Sequence, residues 1–320
     1  MKILTPLNDI DSMYRLYEAG ADEFYVGFSD SEWEEYFGPF SDLNRLSSYG
    51  GDANQSLNEK IASCMENAHY LGIPLYITFN AAHYDDEKLK WIDYYMETVA
   101  QYGAAGVIIS TPELAELADR HGIPAVASTM CGVYNSDIAR FYADLNVKRI
   151  ILPRELSLDS IQKIISDVPQ MEYEVFLMRN GCRYSDSYCL GMHGGLFGGL
   201  CYDQSMRRPD IILQDGISDE IWNQVEYNNY LFENVFHKTA CGQCALWRFL
   251  KMGVSAVKIV GRMEDADAIA VDVQMTRYNL AVAEDSETEA EYLRNMAMPD
   301  NRFEYCAGGL SCYYPEVRFK

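Results

Sequence analysis

Five of the chain's nine cysteines fall between residues 182 and 244. Six residues separate Cys182 from Cys189, eleven separate Cys189 from Cys201, and 39 lie between Cys201 and the pair Cys241/Cys244. Thiolates spaced in this way are soft ligands, suited to zinc or to an iron–sulfur cluster. The C-x-x-C of Cys241 and Cys244 also matches half of a zinc knuckle. The run GMHGGLFGG before Cys201 allows a tight fold around an inorganic core, because glycine tolerates positive φ. No Gly-Lys-Ser/Thr follows it, so it is not a phosphate loop. The polar, glycine-rich surroundings argue against plain buried thiols. His193, inside the run, titrates near neutrality and suits a proton shuttle or a ligand, with a solvated loop histidine as the plain alternative. Cys306 and Cys312 are read as thiols or a second site, and Cys64 and Cys131 as packing residues.

Eight short apolar runs have the character of parallel strands buried on both faces: residues 2–6, 23–28, 75–80, 106–110, 125–129, 149–153, 173–177 and 256–261. Helical patterns opened by Asp, Asn, Ser or Thr and often closed by Gly lie between them. Repeated β–α units imply a parallel sheet, and eight of them favour an α/β fold closed as a (β/α)8 TIM-like barrel. The cysteines then form a rich insertion, residues 178–244, between strands seven and eight. Residues 1–283 make the barrel with this insertion, and 284–320 a short acidic C-terminal extension. Residues 29–58 read as a long aromatic and polar loop.

A barrel collects its chemistry at the C-terminal ends of its strands. Arg154 and Glu155 follow strand six, Arg179 and Asn180 follow strand seven, and Arg262 follows strand eight. Guanidinium groups grip carboxylates bidentately, so the three arginines are expected to converge on an anionic small-molecule substrate. A rim salt-bridge network is the alternative for Arg154 and Glu155. Asn80 and Thr129 end strands three and five, where strand-end hydrogen bonding is their simplest role.

The 26 basic and 48 acidic residues give a net charge of −22, which repels phosphate backbones and makes nucleic acid an unlikely partner. No apolar run is long enough for a membrane span. The opening MKILTPLNDIDSMY has no signal core, so a cytoplasmic location with reduced thiols is expected.

The stretches AGADEFYVGF, LNRLSSYGGDANQSL, ILPRELSLDSI, EVFLMRNGC and GVSAVKIVGR resemble the collagenase-like peptidase family U32, over most of residues 1–265. The resemblance implies a [4Fe–4S] cluster on Cys182, Cys189, Cys201 and Cys241, with Cys244 as the fallback for the last. It also implies oxygen-independent hydroxylation, which members perform on ubiquinone precursors, a tRNA uridine and a ribosomal-RNA cytidine, with the dicarboxylate prephenate as oxygen donor in several. Two features depart from the family: the acidic composition, and Val260 where many members carry Glu. The expected function is therefore iron–sulfur hydroxylation, or a related redox reaction, on a small molecule. A peptidase is the alternative, although His-Glu-x-x-His and Gly-x-Ser-x-Gly are absent. A non-catalytic iron–sulfur subunit is a third reading, and a homodimer or a heterodimer with a paralogue is the expected assembly.

Overall fold

The computed structural model describes residues 1–7, 9–38, 41–56, 60–182, 184–189, 218–299, 306 and 309–318. Cys201 and His193 lie outside these residues. Eight of the described strands close into one parallel barrel: β1 (Lys2–Pro6), β2 (Glu23–Val26), β5 (Leu75–Phe79), β6 (Gly106–Ile109), β7 (Ala125–Ala127), β8 (Arg149–Ile151), β9 (Glu172–Met178) and β10 (Ala256–Ile259). They are the eight runs expected from sequence. Closure is made by β1, which pairs with β10 (Ile3 opposite Val257) and with β2 (Thr5 opposite Phe24).

The helices α1 (Ile10–Glu18), α3 (Ala62–Leu71), α4 (Asp86–Gln101), α5 (Pro112–Arg120), α6 (Ser136–Asp144) and α7 (Leu158–Asp167) alternate with these strands. Several are started by side chains. Asp85 accepts from the N–H groups of Glu87 and Lys88, and Asn135 from those of Asp137 and Ile138. Asp9 and Ser12 form a reciprocal capping box.

The described residues of the stretch 29–58 hold secondary structure rather than loop alone. They form α2 (Ser31–Phe37), a 3-10 turn (Ser47–Asp52) and a two-residue ladder between β3 (Phe28–Ser29) and β4 (Gln55–Ser56). Trp33 of α2 packs against Phe37, Trp91 and Tyr95, which fastens this insertion to α4. After β9 the chain runs through α8 (Asp219–Leu231), a π-turn (Phe232–Phe236) and α9 (Leu246–Met252) before β10. The long α10 (Ala266–Asp285) and α11 (Glu289–Asn295) follow. Residues 309–318 pack back on the barrel and bury Tyr313, Tyr314 and Val317. No helix of the described residues is long and apolar enough to cross a membrane.

The barrel interior contains charge. Arg149 on β8 reaches across to β2, four strands away in the ring, and grips Glu23 at 2.5 and 3.0 Å. It also meets Glu174 at 3.3 Å, while Lys258 donates to the other Glu174 oxygen at 3.0 Å and lies over the Tyr25 ring. The two cations and two carboxylates balance. Burial pushes the Glu23 carboxyl up, but its bonds to Arg149 and Lys2 prevail and hold it low. Removing one partner leaves an uncompensated buried charge. Arg149→Met is therefore expected to lose about 3–5 kcal/mol in urea unfolding. A loss under ~1 kcal/mol would show that the interior layer tolerates unpaired charge.

Candidate functional site at the barrel mouth

The C-terminal ends of the strands open onto a mouth organised by one carboxylate. Asp186 sits in a 3-10 turn (Asp186–Tyr188) midway between Cys182 and Cys189, and it is 1% exposed. Arg154, just past β8, donates to its Oδ2 from Nε (2.9 Å) and Nη2 (2.8 Å). Arg45, from the insertion after β2, reaches Oδ1 at 2.7 Å. The Thr129 hydroxyl donates to Oδ2 at 3.3 Å. Burial pushes the Asp186 carboxyl up, but Arg154 and Arg45 outweigh it and hold it far below the usual carboxylate range. The Arg154 guanidinium also stacks 4.1 Å from the Phe176 ring centroid, donates to the Asn180 carbonyl at 2.5 Å and meets the Tyr313 hydroxyl at 3.3 Å. Tyr313 in turn donates to the Arg179 carbonyl at 2.6 Å.

Arg262 is held differently. It is buried, and among the described residues its hydrogen-bond partners are neutral acceptors: Asn44 Oδ1 (3.1 Å), Asn54 Oδ1 (3.3 Å) and Thr78 Oγ1 (3.4 Å). Burial lowers its guanidinium to about 10, against a pull from Tyr25 and with a further push from Arg45. Two glycines permit this placement. Gly261 adopts φ +130°, and a Cβ on Gly27 would stand 1.8 Å from the guanidinium. The asparagines are oriented by their own amides: Asn44 donates to the Phe28 carbonyl and Asn54 to that of Leu46.

The structure brings Arg154 and Arg262 to the mouth, as expected, but not Arg179. Arg179 and Asn180 have φ of +64° and +48°, and this left-handed turn sends the Arg179 side chain outward. There it pairs with Asp272 and Glu264 and donates to the Ala268 carbonyl, at the start of α10. Arg45 takes its place. Glu155 is exposed and accepts from the Tyr134 hydroxyl at 2.5 Å, on the outside of the mouth. Asn80 accepts from the Arg45 backbone N–H at 3.2 Å and so braces the insertion. Sequence reasoning missed Arg45, Asp186 and Tyr313. Arg45 lies in the quoted stretch LNRLSSYGGDANQSL, and Asp186 between two singled-out cysteines, so position alone was the available signal.

Burial pushes the Cys182 thiol up against the pull of Arg154, and Cys189 acts electrostatically on Arg45. Both loop thiols therefore lie beside the Arg45–Asp186–Arg154 clamp. Cys241 is beside the end of β9, in a bridge with Met178, and in a second bridge with Cys312. Burial, with Cys244 and Cys306, pushes the Cys312 thiol up to about 11. Thiolates are the right donors for iron–sulfur or zinc. Among the described residues, however, no three His, Cys, Asp or Glu side chains are gathered to hold a metal ion.

A parallel eight-stranded barrel with a cysteine-bearing loop over an arginine-lined mouth defines the class. The model for peptidase family U32 matches residues 8–315, and the chain belongs to that family. It is 26% identical over 247 residues to a tRNA hydroxylation protein P of Helicobacter pylori, covering 71% of this chain and 55% of that protein. It is 26% identical over 279 residues to a 23S rRNA 5-hydroxycytidine synthase of Escherichia coli, covering 83% and 37%. An "uncharacterized protease" of Methanocaldococcus jannaschii matches at 26% over 222 residues, 66% and 50% of the two chains. The chain thus spans about half or less of the length of these relatives.

Asp186 has a folded-state value below its ordinary one, so its contribution is present above the ordinary Asp pKa of ~3.9 and is lost as pH falls through the folded value. Asp186→Asn is expected to destabilise the protein at pH 7, with the difference from the parent shrinking below about pH 4. At pH 7 alkylation of Cys182 and Cys189 should be faster in the variant than in the parent. A pH-independent difference would remove the clamp from the account.

Proposed function

We propose that the barrel mouth supports a hydroxylation-type redox reaction. In this reading Cys182, Cys189, Cys201 and Cys241 hold a [4Fe–4S] cluster, and Arg262 receives the anionic group of a small substrate or oxygen donor. The observation that carries it is the buried Arg262 guanidinium, whose described partners are all neutral. Such a charge is stabilised by an incoming carboxylate or phosphate far more than an exposed one. The hydroxylation names of relatives support the reaction type.

A bound cluster would supply electron transfer or Lewis acidity at the thiols. The chain's own residues do the rest. Arg262 orients the anion, with Asn44 and Asn54 fixing the guanidinium plane. Arg154 and Arg45 are occupied by Asp186, so they fix the cysteine loop more than they grip a ligand. The relatives named for tRNA and rRNA hydroxylation set an RNA substrate against the charge of −22, which favours a small molecule.

Protein prepared without oxygen is expected to hold about four irons with matching sulfide and a broad band near ~400 nm, lost in Cys182→Ala. Arg262→Met should keep the iron and weaken binding of a small dicarboxylate at least ~10-fold. One zinc without sulfide defeats the cluster. Unchanged dicarboxylate binding defeats the role of Arg262, and tight, salt-dependent tRNA binding defeats the small-molecule reading.

A further inference from the structure

The C-terminal segment brings thiols to the barrel that the proposed reaction does not use. Cys241 donates its N–H to the Ser311 carbonyl at 2.7 Å, and its own carbonyl accepts from Tyr313 N–H at 2.9 Å. This register makes Cys241 and Cys312 direct partners in a parallel bridge. Paired backbones lie about 4.8 Å apart, inside the ~4.4–6.8 Å range of Cα separations that disulfides span. Bridge partners place their side chains on the same side, and successive residues alternate. Cys312 therefore shares a side with Cys241, while Tyr313 turns the other way and reaches Arg154.

We propose that Cys241 and Cys312 are a dithiol–disulfide couple that fastens residues 309–318 to the barrel. Both are thiols in the structure and both are partly exposed, so a small oxidant reaches them. The bridge lies at the end of the barrel ladder, where Cys241 also pairs with Met178 and Cys312 belongs to no named strand, so closing the Cβ–Cβ distance to the ~3.8 Å of a disulfide moves mainly the 309–318 segment. The oxidant class is a hydroperoxide. One thiolate attacks the terminal peroxide oxygen and breaks the O–O bond, giving a sulfenic acid and, from hydrogen peroxide, water. The second thiolate attacks that sulfur and displaces hydroxide, which leaves as water. Two thiols thus lose two electrons and two protons, and one hydrogen peroxide becomes two waters.

The bond closes a loop of 70 intervening residues and locks Tyr313 against Arg154. It also withholds Cys241 from the cluster, a consequence that rests on the proposed ligand set, whereas the bond itself does not.

The test is peptide mapping of the full chain under non-reducing conditions after treatment with hydrogen peroxide, with iron measured on the same sample. A Cys241–Cys312 linked peptide is expected as the dominant product, absent from Cys312→Ser and Cys241→Ser. Oxidation should raise Tm by about 5 °C in the parent and leave Cys312→Ser unmoved. Dominant linkage of Cys312 to Cys244 or Cys306, no linkage at all, or protection by a metal held on these thiols overturns the couple. A linked peptide in protein that keeps all its iron sustains the couple and instead overturns Cys241 as a cluster ligand.

Discussion

A carboxylate taken out of water must be met by positive charge, and at this mouth the requirement fixes three separate parts of the chain. Asp186 draws Arg154 from the end of β8 and Arg45 from the insertion after β2, and its own loop carries Cys182 and Cys189. Without the pair of arginines the loop carboxylate would take up a proton or return to solvent. The loop that carries the two thiols is thus held by an ion triad and by the Thr129 hydroxyl.

Two charge layers with opposite logic are stacked in the barrel. The interior layer, Arg149, Lys258, Glu23 and Glu174, is neutral in sum and spans the ring. Among the described residues, the mouth holds Arg45, Arg154 and Arg262, with the carboxylate of Asp186 between Arg45 and Arg154. A chain of net charge −22 thus gathers arginines at its barrel mouth. Field from the acidic surface is screened within about 8–10 Å in salt, so an anion that reaches the mouth meets mainly these arginines.

The strands were legible because each is a continuous apolar run, and burial on both faces leaves a parallel strand little freedom of composition. The helices were legible through their capping residues. The ladder of β3 with β4 is two residues long and leaves no periodicity to read. Arg179 was misplaced for a local reason: alternation along β9 cannot reveal that two non-glycine residues take left-handed φ just beyond it. Arg45 was hidden by distance, since 141 positions of sequence separate it from Asp186 and nothing in its neighbours marks the contact. Arg262 follows β10, as its place in the sequence implies, but the neutrality of its described partners is a property of packing alone.

Tyr313 ties Arg154 to the Arg179 carbonyl, yet it belongs to a segment synthesised well after the barrel's last strand. Some 50 residues separate the end of β10 from residue 309. At ~5–20 residues per second a ribosome needs several seconds to add them. During that interval the nascent chain has every strand of its barrel but lacks the latch across the mouth. Assembly is therefore ordered in time by the order of translation: the barrel with the arginines it carries comes first, and the closing tyrosine last.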